Sequence, residues 1–189
     1  MGGRTEESAL QLAIVIPVSP PALQDLISLQ DECFRNFGCD APEAPPHITL
    51  KLGFAAATAE PFKRLLDSLA GTTEFEVSLR AVDAFEEGIA FLDVVSNDPL
   101  EALRQRLLDT LKSNHGIEPL PIEISGYRFH VTLASGLSRA ELQRLLATYS
   151  TLPPEGRFSV SCLQLLSYTP AGWIALHETS LKPLIPAET

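Results

Sequence analysis

The chain is short of positive charge. Its 14 Lys and Arg stand against 24 Asp and Glu, for a net charge of −10. That excludes broad binding to duplex nucleic acid, which relies on neutralising many phosphates with basic side chains. A short or singly phosphorylated ligand in a locally basic pocket stays open, because net charge does not describe a cleft. Cysteine is scarce as well: Cys33, Cys39 and Cys162 form neither an even set nor a CxxC pair. Reduced thiols are expected, and a disulfide framework or a zinc ribbon is set aside. Gln11 to Val18, the clearest apolar run, falls far short of the ~20 residues that span a bilayer. No N-terminal stretch couples positive charge to a long apolar segment. The expectation is a cytoplasmic protein with no membrane partner, acting as a monomer.

What remains is enough for a sizeable core. The 189 residues are 45 % hydrophobic and 20 % charged, an ordinary balance for one large domain or two closely packed lobes. Leu10 to Val18 is β-branched and ends among prolines, which predicts a buried strand. Pro21 opens a helical pattern that puts Leu23, Leu26, Ile27 and Phe34 on one face and stops at Gly38. A proline-rich loop leads into a strand, HITLKLGF. Thr58 to Ala70 reads as a helix capped by Thr58. Phe75 to Phe85 and Ile89 to Val95 read as a hairpin around Glu86-Glu87-Gly88. Leu100 to Ser113 is the next helix, with Gly116 as its stop. A further proline-containing loop precedes the strand YRFHVTLA, and Ser138 caps the helix after it. Phe158 to Tyr168 and Trp173 to Leu181 read as two closing strands.

Four letters recur. PPHITLK contains His47-Ile48-Thr49-Leu50, and YRFHVTL contains His130-Val131-Thr132-Leu133. With 12 Thr and 30 Leu in the chain, one His precedes apolar-Thr-Leu by chance roughly once in 220 trials. Two hits among four histidines come to about one in ten thousand. Each half of the chain runs helix, proline loop, H-x-T-L strand, helix and strand pair. An internal duplication is the economical reading.

Alternation along a strand puts His47, Thr49 and Lys51 on one face, with Ile48, Leu50 and Leu52 on the other. In the second copy Arg128, His130 and Thr132 share a face opposite Phe129, Val131 and Leu133. An imidazole, a hydroxyl and a cation are thus offered twice. That inventory suits a phosphate ester. One His takes a proton from water or a hydroxyl, the other protonates the leaving oxygen, and Thr, Lys and Arg hold the non-bridging oxygens. Histidine suits both roles because it titrates near neutral pH.

PHITL paired with RFHVTL across two half-chains resembles the two-histidine (2H) phosphoesterase superfamily, which includes bacterial RNA 2′,3′-cyclic phosphodiesterases, also called 2′-5′ RNA ligases. The resemblance runs from the first strand to LLSYTPAGWIAL. It implies an α+β bilobal fold, with two pseudo-two-fold related lobes, each with an antiparallel sheet and helices, and an active cleft between them, the whole of 1–189 forming one domain. It implies chemistry without a metal or other cofactor. His47 and His130 become acid and base, and Thr49 and Thr132 the phosphate ligands. The substrate class it points to is a small nucleotide or an RNA-terminal cyclic phosphate. Many cyclic phosphodiesterase members read Arg-Pro-His ahead of the second motif, whereas this chain has Arg128-Phe129-His130. The first motif continues as KLGF, nearer to a branch of small bacterial members.

The remaining candidates carry ordinary readings beside the functional ones. Threonine is at home in any strand. Lys51 and Arg128 read equally as solvated strand-edge cations or as substrate clamps. Trp173 and Tyr168 either stack on a base or pack at the end of a hairpin. His115, at a helix C-terminus, reads as structural, and His177, on the last strand, reads as exposed. Zinc wants three or four closely spaced ligands, and no other His, Cys or acid repeats beside either motif. Rival functions are a non-catalytic nucleotide or phosphorylated-ligand binder, and a phosphodiesterase for 2′-5′ oligonucleotides or an ADP-ribose cyclic phosphate.

Overall fold

A computed structural model describes residues 9–41, 43–149 and 156–184. The β-branched opening run forms strand β1 (Leu10–Pro17), and α1 follows (Ala22–Phe37). Gly38 ends α1 with φ of 67°, the left-handed conformation that glycine adopts without strain. The first H-x-T motif opens β2 (His47–Ala56), followed by α2 (Glu60–Ser68). That helix starts later than expected: Ala59 occupies its cap, so Thr58 is not the capping residue. The hairpin β3 (Phe75–Phe85) and β4 (Ile89–Val95) has the expected limits. Helix α3 (Asp98–His115) is capped by the Asn97 side chain, which accepts from the Leu100 N–H at 3.0 Å. A one-turn helix that the sequence did not announce, α4 (Pro121–Ile124), lies in the second proline loop. The second motif opens β5 (His130–Ala134), and α5 (Arg139–Tyr149) follows with Ser138 and Glu141 bonding each other's backbone N–H.

The last part of the chain corrects an expectation. The single strand expected over Phe158 to Tyr168 is two strands, β6 (Gly156–Val160) and β7 (Cys162–Thr169), broken at Ser161. β6 pairs with β3, while β7 pairs with β1 and with the closing strand β8 (Gly172–Ser180). A continuous alternation of apolar residues does not register a change of partner.

All eight strands form one antiparallel sheet in the order β6-β3-β4-β5-β2-β1-β7-β8. The two motif strands meet at its middle, through a single register pair, Ile48 with Val131. Outward from that seam the order is symmetric: β5 answers β2, β4 answers β1, and an outer pair follows on each side. The halves of the sheet are not the halves of the sequence. The β3–β4 hairpin lies on the side of the second motif, and β7 and β8 lie beyond β1 on the side of the first. Helices cross over too: α1 packs on β5 and α5, and α3 packs on β2. One apolar core therefore runs through both halves, from Leu12, Ile14 and Ile48 to Leu92, Val131 and Leu163, all completely buried. Each such side chain contributes about 1.5–3 kcal/mol. The core is thus shared between the two halves of the sequence.

Candidate active site

The seam fixes the site. Ile48 and Val131 turn into the core and are fully buried, so the half-buried His47, Thr49, His130 and Thr132 occupy the other face. Continuing the antiparallel register from the Ile48–Val131 pair sets His47 opposite Thr132 and Thr49 opposite His130. Each histidine position thus faces the threonine position of the other motif, and the two histidine positions lie on a diagonal.

Both imidazoles are oriented in the same way. His47 Nδ1 lies 2.8 Å from the Pro45 carbonyl oxygen, and His130 Nδ1 lies 2.8 Å from the Arg128 carbonyl oxygen. A carbonyl only accepts, so each ring donates its Nδ1–H two residues back along the chain and leaves Nε2 for chemistry. Burial lowers both imidazole pKa values below the ordinary 6.5, and for His47 the nearby His130 adds to the effect. The unfolded chain then takes up protons first as the pH falls below 6.5. The pair's contribution to stability is complete above that pH and is lost on acidification. Imidazole titrations followed by NMR should give both midpoints below 6.5. Urea unfolding should show a less stable protein at about pH 5 than at about pH 7.5. A midpoint above the ordinary value for either ring would contradict this.

His130 sits in an aromatic setting, with the Phe85 and Phe91 ring centroids each 5.1 Å from its own. Asp93 is paired with it across β4 and β5 and is 4 % exposed. Burial pushes the Asp93 carboxyl up, but hydrogen bonds from Arg128 and Arg80 outweigh that and hold it below the usual carboxylate range. Arg128 donates from Nε to Asp93 at 2.7 Å, reaches Asp83 at 2.7 Å, and lies 4.8 Å from the Phe91 ring centre. His47 opens instead onto a cavity of about 190 Å³, which Gln30, Asp40, Glu43, Thr132, Ser135 and Trp173 help to line. Among the described residues no Lys or Arg lines it, and Thr49 and His130 lie outside it.

The expected phosphate-ligand set needs one correction. Lys51 does not share the His47 face. Between Thr49, which pairs with Val15, and Lys51, which pairs with Ile14, the register of β2 slips by one residue at Leu50. The bulge turns Lys51 inward, where it is 1 % exposed and ion-paired with Glu123 at 2.8 Å. Arg128 does lie near His130, but it precedes β5 and is ion-paired with two carboxylates, so it is not a free cation. Trp173 lines the His47 cavity. Tyr168 packs edge-on against Trp173, centroids 5.3 Å apart, outside that cavity. His177 is not simply exposed: its Nε2 meets Asp67 at 2.7 Å and ties β8 to α2. His115 packs on Phe62, as a structural residue should.

Three residues near the site were not anticipated. Asp93, within the apolar run IAFLDVV, and Glu123, between two isoleucines, each carry a faint signal, a lone charge at a core position. Gln30, on α1, carries none. Among the described residues no group of three or more His, Cys, Asp and Glu is arranged to hold a metal ion. No helix among them is long and apolar enough to cross a membrane.

The family model of the 2′-5′ RNA ligase superfamily matches residues 20–171. No curated protein matches the chain. Among solved structures, apo E. coli LigT is 18 % identical, with a TM-score of 0.68 over 93 % of this chain and 99 % of its own. TT0787 of Thermus thermophilus is also 18 % identical, with a TM-score of 0.68 over 93 % of this chain and all of its own (100 %). E. coli LigT complexed with 3′-AMP is 19 % identical, with a TM-score of 0.64 over 92 % of this chain and 98 % of its own.

Proposed function

Because the chain belongs to the 2′-5′ RNA ligase superfamily, we propose that it is a metal-independent phosphodiesterase that hydrolyses a 2′,3′-cyclic phosphate on a nucleotide or an RNA end. The observation that carries this reading is the mirrored pair of imidazoles. Each keeps its Nδ1–H on a backbone carbonyl, which leaves Nε2 for chemistry, and each stands at the position opposite the other motif's threonine in the register continued from Ile48–Val131. One Nε2 takes a proton from water as it attacks phosphorus, and the other gives a proton to the departing ribose oxygen. Two lowered pKa values suit a pair that carries one proton at a time. Thr49 and Thr132 supply hydroxyl donors to the non-bridging oxygens.

The nucleoside belongs in the cavity beside His47. Asp40 and Glu43 on its wall disfavour a phosphate there, while Trp173 offers a surface for a base. That E. coli LigT has been crystallised with 3′-AMP supports a nucleotide-sized ligand on this fold. Base–aromatic stacking is worth about 1–3 kcal/mol. Trp173→Ala should therefore raise KM about tenfold or more with kcat little changed, and an unchanged KM would remove Trp173 from the site.

Turnover of a panel of 2′,3′-cyclic nucleotides, with products identified by phosphorus NMR, tests the reading. Ring opening with a bell-shaped pH–rate profile, unaffected by EDTA, is expected. Binding without turnover makes the protein a nucleotide binder. Inhibition by EDTA reversed by zinc replaces the two-histidine mechanism with a metal one. Turnover of 2′-5′ oligonucleotides alone moves the substrate class.

A further inference from the structure

We propose that Tyr127 and Gln30 are positioning residues that hold the two motif strands, and so the two imidazoles, at their working separation. The hydroxyl of Tyr127 donates to the Thr49 carbonyl at 2.6 Å, and Gln30 Nε2 donates to the Thr132 carbonyl at 2.8 Å. These are the same backbone position in the two motifs, and each is held from the other repeat. Gln30 lies on α1, which precedes the first motif, yet it holds the second. Tyr127 stands just ahead of the second motif, yet it holds the first.

The seam needs such ties. Neighbouring strands normally keep their ~4.8 Å spacing through a ladder of backbone hydrogen bonds. β2 and β5 share one register pair, whereas β1 and β2 pair along seven positions. Two bonds from side chains to backbone, one on each side of Ile48–Val131, supply what the short ladder lacks. Both donors are well held. Gln30 is 7 % exposed, and Arg104 lies 3.6 Å over the Tyr127 ring. Phe129 packs edge-on against the same ring. Burial pushes the phenol pKa up to about 12, so it remains a donor across the working pH range.

This assignment rests on the two-histidine reading above, and the test separates the two. Tyr127→Phe keeps the ring and its stacking while deleting the O–H. Gln30→Met keeps the length and bulk while deleting the N–H. In each variant the NMR titrations of His47 and His130 are compared with wild type, alongside Tm and, with a 2′,3′-cyclic nucleotide, kcat and KM. The expected result is a shift of at least one imidazole midpoint and about a tenfold loss of kcat, with KM within about twofold for Tyr127→Phe, which lies outside the nucleoside cavity. A purely structural role would lower Tm and leave the titrations alone. A variant whose titrations superimpose on wild type removes its residue from the assignment. Shifted titrations with wild-type kcat overturn the positioning role. Absence of turnover in the wild type counts against the proposed function, and the titrations then decide the positioning by themselves.

Discussion

Replacing His47 by alanine is expected to lower kcat about 10²- to 10⁴-fold, and replacing His130 to do the same. On an energy scale that is about 2.7–5.4 kcal/mol of transition-state stabilisation. The symmetry of the site is the reason for expecting two large effects. Both rings donate Nδ1–H to a carbonyl two residues back. Both take equivalent positions in the register continued from Ile48–Val131, and burial lowers both pKa values. An acid and a base that act on opposite ends of one displacement are each necessary, and effects of such a unit are far from additive. The double variant should therefore be little worse than either single one. Loss confined to one substitution would break the acid–base pairing. The pH–rate profile adds a second check, since removing one ring should abolish one limb of the bell and leave the other.

Glu123→Ala should cost about 3–5 kcal/mol of stability, the usual result of stranding one partner of a buried ion pair. Against a total of about 5–15 kcal/mol for a typical domain, that is enough to lower the denaturation midpoint severely. The Glu123 carboxylate accepts from Lys51 Nζ at 2.8 Å and from the backbone N–H groups of Leu52 at 2.8 Å and Leu120 at 2.7 Å. Arg104 bonds the carbonyls of Glu123 and Leu50. Without the carboxylate, Lys51 keeps only the Leu52 carbonyl at 3.3 Å and the Phe54 ring at 5.7 Å. Lys51→Met should be milder, because two backbone donors still serve Glu123. Urea unfolding of the two variants measures the asymmetry. Equal and small losses would mean that the pair is not buried as described. The same experiment separates the roles of Lys51: a scaffold residue loses stability, whereas a substrate clamp would lose KM or kcat with stability unchanged.

The two predictions divide β2 at its bulge. On the motif side of Leu50 the strand carries the candidate site; beyond it, Lys51 anchors the strand to α4, and Arg104 of α3 holds the Leu50 carbonyl. Strict alternation would have made Lys51 a third member of the His47 face. One extra residue in the strand was enough to change its role from ligand to buried partner.

Much was settled by the sequence alone. The repeated His-apolar-Thr-Leu names both imidazoles and both hydroxyls, because residue type and a period of two suffice to place them on one face. The deficit of basic residues argues by composition against broad binding to duplex nucleic acid. The glycine stops at Gly38 and Gly116 and the β3–β4 hairpin are local chemistry, and they lie where local chemistry puts them. Tertiary structure decided what depends on residues distant in sequence. The split at Ser161, the inward turn of Lys51, the engagement of Arg128 by Asp83 and Asp93, and the grip of Gln30 and Tyr127 on the opposite motifs all arise from pairings that periodicity does not encode. Local pattern specifies which side of a strand a residue takes; only the packed sheet specifies what meets it there.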